Sequence, residues 1–152
     1  MSTGGTRLAK AREKKQSVSD VMTTMPIVLP ADAPISAAAR AMRDRDIGGV
    51  IVQTNDQICG MVTDRDVVVR AIATGKDPSK TPLVDICSQE LTTVTESTPV
   101  DEAVQLMRDK AIRRLPVIDD GHPVGILSIG DLAIERDRKS ALADVSGAPA
   151  NR

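Results

Sequence analysis

The chain has 152 residues, with 20 Lys and Arg against 21 Asp and Glu, for a formal charge of −1. That balance excludes a protein built mainly to coat nucleic acid, which carries a large basic excess, and the absence of Phe, Tyr and Trp removes any aromatic platform for stacking bases. A chain of about 150 residues buries about 68–70% of its unfolded surface, enough for one compact domain, whose core here must be made of Val, Ile, Leu, Met and Ala.

In chain order, residues 1–16 carry Arg7, Lys10, Arg12, Lys14 and Lys15 against Glu13 and few large apolar groups. They read as a disordered basic arm. Ser17 to Met22 forms a short helical turn, followed by a β-prone stretch that ends at Leu29. Ile35, Ala38, Ala39 and Met42 fall at i, i+3, i+4 and i+7 and predict an amphipathic helix. Val50-Ile51-Val52 and Ile58 to Val62 flank Thr54-Asn55-Asp56-Gln57 as a hairpin, and a further helix begins near Asp64. A turn-rich linker occupies residues 76–81.

The same series then repeats. A shift of 65 positions pairs Asp20 with Asp85, Pro34 with Pro99, Met42-Arg43-Asp44 with Met107-Arg108-Asp109, Gly60 with Gly125 and Asp66 with Asp131, without a gap. Pro82 to Cys87 is the second helical turn, and the second β-prone stretch ends at Val94. Val100, Ala103, Val104 and Met107 form the second helical face. Thr98 is predicted as its N-cap, with Pro99 at the first helical position and Asp101-Glu102 as acid in the first turn. Leu115 to Ile118 and Val124 to Leu127 flank Asp119-Asp120-Gly121-His122, and a last helix begins near Ile129. The repeats span 17–75 and 82–138, their helices are expected to share one core, and residues 139–152 read as a disordered tail.

The chemistry concentrates where the second hairpin strand meets the last helix of each copy, at Gly60-Met61-Val62-Thr63-Asp64-Arg65-Asp66 and Gly125-Ile126-Leu127-Ser128-Ile129-Gly130-Asp131. A hydroxyl followed three residues later by an acid is a capping box that many helices use. The glycine repeated ahead of it is more than a cap requires. Gly60 and Gly125 would let a flat group approach the backbone, Thr63 and Ser128 can donate or accept, and Asp66 and Asp131 can take two hydrogen bonds from a vicinal diol such as ribose. A nucleoside or nucleotide suits this set better than an amino acid or a metal.

These segments, with Arg114-Leu115-Pro116-Val117, resemble the motifs of tandem cystathionine β-synthase (CBS) domains over residues 17–138. The resemblance implies an α/β fold in which two β-α-β-β-α repeats pack with pseudo-twofold symmetry into one compact module. It further implies a stand-alone regulatory module that binds an adenosyl ligand (AMP, ADP, ATP, S-adenosylmethionine or NAD) between the repeats, forms a homodimer and signals to a regulated protein the sequence does not name. Asp66 and Asp131 would hold ribose, with Thr63 and Ser128 assisting. Backbone at Val50-Ile51 and Leu115-Pro116 would frame adenine. Ile51 stands in place of the motif proline in the first copy, where Gly48-Gly49 replaces Arg113-Arg114, so phosphate is assigned to Arg113 and Arg114 of the second copy. In the first copy Arg65 is expected to be held between Asp64 and Asp66.

No catalytic set emerges, since no nucleophile, base and orienting group align around Asp64, Asp66 or Asp131, and no cofactor is required. Cys59 and Cys87 read as two free thiols and His122 as a turn residue. The chain has no run of about 18–20 apolar residues and no secretory signal, so a cytoplasmic location is expected. The alternative functions are a dimer without ligand and a nucleic-acid contact through the basic arm.

Overall fold

The computed structural model describes residues 15–88 and 91–136. Most of the arm and all of the 139–152 tail lie outside the described residues. The order is α1 (Val18–Val21), β1 (Thr23–Thr24), β2 (Val28–Pro30), α2 (Ile35–Arg45), β3 (Gly49–Thr54), β4 (Gln57–Thr63) and α3 (Asp64–Asp66), which continues as a π-helical stretch, Val67–Ile72. A 3₁₀ turn, Leu83–Asp85, opens the second copy, followed by α4 (Val100–Lys110), β5 (Arg114–Asp119), β6 (His122–Ser128) and α5 (Ile129–Arg136).

Both hairpins turn on two residues with positive φ, Asn55 (50°) and Asp56 (62°) in one, Asp120 (49°) and Gly121 (76°) in the other. This type I′ geometry matches the right-handed strand twist, and Asn, Asp and Gly tolerate it best. Each hairpin bulges at the same place, between Val52 and Gln53 and between Val117 and Ile118. The two long helices bury matched faces, Ile35, Ala38 and Met42 on α2 and Val100, Ala103 and Met107 on α4. Each stops on a left-handed residue, Asp46 or Ala111.

The strands form two three-stranded sheets, β2-β3-β4 and β1-β6-β5. The second joins strands of both copies, and the first, built of first-copy strands, takes an isolated bridge from the second copy. β1, from the start of the first copy, pairs antiparallel with β6 of the second (Thr23 opposite Ile126). Ser88, 65 positions after Thr23, pairs in return with Met61 of β4. The exchange continues outward. Val18 N–H donates to the Thr98 carbonyl at 2.8 Å and Leu83 N–H to Ala33 at 2.9 Å; Val100 N–H donates to Gln16 and Ile35 N–H to Thr81, each at 3.0 Å.

Packing follows the same exchange. The expected shared core is two clusters, one joining Ile35, Val50, Val52, Val62 and Ala71 to Leu83, Ile86 and Cys87, the other joining Val100, Leu115, Val117 and Leu127 to Val18. A buried aliphatic side chain stabilises by about 1.5–3 kcal/mol; without the first turn of the other copy the first half loses Leu83, Ile86 and Cys87, and the second loses Val18 with the partly buried Val21 and Met22. That mutual dependence makes the two repeats one module.

Four local features depart from the sequence-based reading. Thr98 is not the cap of α4: its hydroxyl accepts from Thr95 N–H at 3.0 Å, and Pro99 occupies the N-cap position. The stretch ending at Val94 makes only an isolated bridge to Val117. In the first copy Ile51 N–H donates to the Ile27 carbonyl at 2.9 Å, whereas Pro116 has no N–H to give Thr92, and the ladder shortens. Beyond α3 the helix widens, with Ala73 N–H reaching back five residues to Val68 at 2.9 Å; Val67, Val68 and Val69 are successive β-branched residues that crowd an α-helical turn. Gln16, placed in the arm by its charge context, hydrogen-bonds Glu135.

Candidate ligand-binding site

Both hydroxyl–acid segments close capping boxes. The Asp66 carboxylate accepts the Thr63 N–H at 2.8 Å and the Thr63 hydroxyl at 3.0 Å, while Asp66 N–H donates to Thr63 Oγ1 at 3.2 Å. In the second copy Ser128 N–H donates to Asp131 at 2.9 Å and Asp131 N–H to Ser128 Oγ at 3.1 Å. Each cap uses Oδ2, and a carboxylate has about four acceptor positions, so capping leaves Oδ1 for another contact. Asp131 Oδ1 accepts the Thr23 hydroxyl at 3.2 Å. Asp66 Oδ1 lies 3.5 Å from Arg70 Nε.

The two segments open onto one cleft of about 1390 Å³ between the copies. Of the predicted site residues, Thr63, Asp66, Arg113, Arg114, Pro116, Ser128 and Asp131 line it. Val50, Ile51 and Leu115 do not: all three are fully buried, and Ile51 N–H is already bonded to Ile27. An adenine frame at Val50-Ile51 is therefore not formed. On the second side Pro116 lines the cleft beside Thr92, whose carbonyl lacks the bond its counterpart Ile27 makes.

Gly60 and Gly125 do not line the cleft either. A Cβ on Gly125 would sit 2.6 Å from Met22 Sδ and 2.8 Å from the Thr23 carbonyl; one on Gly60 would strike the Ser88 carbonyl and lie 3.1 Å from Cys87 Sγ. Both glycines admit the exchanged segment of the other copy. Thr23, Ser88, Thr92 and Arg70 line the cleft and were missed. Thr23 and Ser88 carry hydroxyls at matched positions 65 apart, and Arg70 lies one helical turn after Asp66, so both signals were present in the sequence.

Arg114, expected to serve phosphate on the second side, points away from its own copy. Its guanidinium crosses the cleft and lies against Gly48, where a Cβ would collide with it, and reaches within 4.0 Å of Asp64. Arg65 does not bridge the neighbouring acids; Asp66 is paired with Arg70 and Asp64 with Arg114. The two thiols are free and adjacent, and burial, reinforced by the Cys59 thiol, pushes the Cys87 thiol above its ordinary range. Among the described residues, no group of three or more His, Cys, Asp or Glu is placed to hold a metal ion, and no helix is long and apolar enough to cross a membrane.

Two interlocked α/β repeats around a cleft walled by matched hydroxyl–acid segments define a tandem-repeat module of the kind that generally regulates by binding ligands. The CBS domain model matches residues 18–72 and 83–137, and the chain belongs to that family, with two domains in tandem. It is 36% identical over 134 residues to the CBS domain-containing protein YhcV of Bacillus subtilis, covering 86% of this chain and 95% of that protein. Among solved structures it resembles Hypoxic Response Protein I, described with two coordinated zinc ions (29% identity, TM-score 0.70, 78% of this chain and 97% of that one). It also resembles the CBS domain pair of MJ0100, described in complex with 5′-methylthioadenosine and S-adenosyl-L-methionine (24% identity, TM-score 0.75, 84% and 100% covered).

Proposed function

We propose that this chain is a non-catalytic regulatory module that binds an adenosyl ligand in the cleft between its repeats and passes the bound state to a partner protein. Asp66 and Asp131 hold ribose hydroxyls through Oδ1, Thr63 and Ser128 position those carboxylates, and Pro116 with the Thr92 carbonyl receives adenine on the second side. The observation carrying this reading is the convergence of both hydroxyl–acid segments on one open cleft of about 1390 Å³, a volume that accommodates a nucleotide. The MJ0100 pair shares the fold, and its two adenosyl ligands supply probes for the test.

A homodimer accompanies the proposal. Val68 (59% exposed), Ile72 (54%) and Ile134 (37%) stand out on the last helices of the two copies, an aliphatic surface a second copy would cover. Light scattering on the full chain should give twice the 16.1 kDa monomer mass; a monomer at all concentrations refutes this part.

The ligand proposal is tested by thermal shift with AMP, ADP, ATP, NAD, S-adenosylmethionine and 5′-methylthioadenosine, on wild type, Asp66→Ala and Asp131→Ala. Each variant is compared with its own ligand-free midpoint, because each also loses a cap. A ligand at a hundred times its dissociation constant adds about 2.7 kcal/mol. No shift with any compound overturns the proposal, and unchanged shifts in both variants overturn the assignment of ribose to the two acids.

A further inference from the structure

The pseudo-twofold axis relates the two sides of the cleft in backbone but not in charge. Of five matched positions, Arg70 stands opposite Glu135, Arg65 opposite Gly130 and Asp64 opposite Ile129, while Gly48-Gly49 stands opposite Arg113-Arg114. On the first side Asp66 has a cation one turn along its helix, Arg70 at 3.5 Å. On the second, the same helical position carries another acid, Glu135, which hydrogen-bonds Gln16. The glycines let Arg114 leave its own copy and lie over Gly48 near Asp64, so a third arginine joins Arg65 and Arg70 on the first side. The second side keeps Arg113, an exposed residue whose carbonyl accepts Ile129 N–H at 3.0 Å, and presents Thr23, Pro116, Ile126, Ile129 and Gly130 around Asp131.

We infer that the cleft is sorted by charge into two unlike subsites: one beside Asp66 that takes a nucleoside polyphosphate on Arg65, Arg70 and Arg114, and one beside Asp131 that takes an adenosyl group without phosphate. The inference rests on the adenosyl-binding reading and deepens it by giving each half its ligand class. Arg114 is only 30% exposed along its side chain, and its ion-pair contact among the described residues, to the 64% exposed Asp64, is long at 4.0 Å. Such a contact contributes little, so an incoming phosphate competes well for the guanidinium, which suits phosphate oxygens in a bidentate fork. Asp131 carries Thr23 on Oδ1 and has Glu135 where the first side has Arg70, so the one arginine of this side, Arg113, is offset by an added acid while Asp131 offers a diol its acceptor oxygens.

The test is isothermal titration of the full chain with ATP and with adenosine, separately and with one ligand saturating. The inference predicts that both bind together at one per chain and that saturating adenosine changes ATP affinity less than twofold. Arg114→Gln weakens ATP about tenfold or more, in line with a charge-assisted hydrogen bond, and leaves adenosine within twofold; Arg70→Gln does the same should the first variant fold poorly. Asp66→Ala removes ATP binding and spares adenosine, and Asp131→Ala does the reverse. Competition between the probes, equal weakening of both by Arg114→Gln, or loss of ATP through Asp131→Ala overturns the sorting while adenosyl binding stands. Binding of neither probe overturns both.

Discussion

A methyl group added at Gly60 or Gly125 separates two physical roles for those glycines. At Gly125 it would lie 2.6 Å from Met22 Sδ and 2.8 Å from the Thr23 carbonyl, and at Gly60 it would strike the Ser88 carbonyl. Backbone oxygens in a paired strand cannot rotate aside, so the exchanged segment must shift, at a cost of about 1–3 kcal/mol for overpacking. Unfolding entropy is about 2.1 cal/mol/K per residue; over about 120 described residues that is about 0.25 kcal/mol/K, and the cost becomes a fall of about 4–12 °C. Gly130→Ala is the internal control, since a Cβ there meets only Ser128 Oγ at 3.5 Å in the first turn of α5, where Gly to Ala gains about 0.5–1 kcal/mol. Thermal unfolding followed by circular dichroism should place Gly60→Ala and Gly125→Ala below wild type and Gly130→Ala above it. If the first two match or exceed wild-type stability and lose only ligand affinity, the glycines face a ligand and the strand-exchange account of them is wrong.

Thr63→Ala and Ser128→Ala each remove a cap hydroxyl and should cost about 0.5–2 kcal/mol in urea unfolding without ligand; no loss would mean the capping boxes do not stabilise these helices. Leu83→Ala, in the first turn of the second copy but the core of the first half, should cost about 2–5 kcal/mol, whereas a value under 1 kcal/mol would place it outside that core. The raised Cys87 thiol favours the native state while protonated. Its contribution is therefore complete below pH about 8.5 and lost as pH rises through the folded value, so wild type should lose stability above that pH more steeply than Cys87→Ala, and parallel pH profiles would contradict the shift.

The duplication was legible because it is written in identities at a constant spacing of 65, and the amphipathic helices and type I′ hairpins follow from local patterns that each copy states independently. The exchange of first turns was not. Val18 and Leu83 read as apolar residues of their own copies, and nothing local in a sequence says which of two equivalent cores such a residue enters. The same ambiguity misdirected the site. Gly60 and Gly125 announced a close approach correctly but not by what, since a ligand and a neighbouring strand exclude a Cβ alike. Arg114 reads with its own copy in sequence because its long side chain reaches toward the other copy only in three dimensions, over Gly48, which in sequence shows only that an arginine is replaced. Thr63, Ser128, Asp66 and Asp131 were legible as a constellation, since hydroxyl and acid act within one helical turn.

The central claim is that the cleft between the copies is a binding site for an adenosyl group. Amide chemical-shift mapping of the full chain titrated with ATP and with adenosine tests it most directly. The account predicts saturable shifts concentrated at cleft residues, among them Thr23, Thr63, Thr92, Gly130 and Asp131. Saturation with no shifted amides, or shifts confined to surfaces away from the cleft, would contradict it.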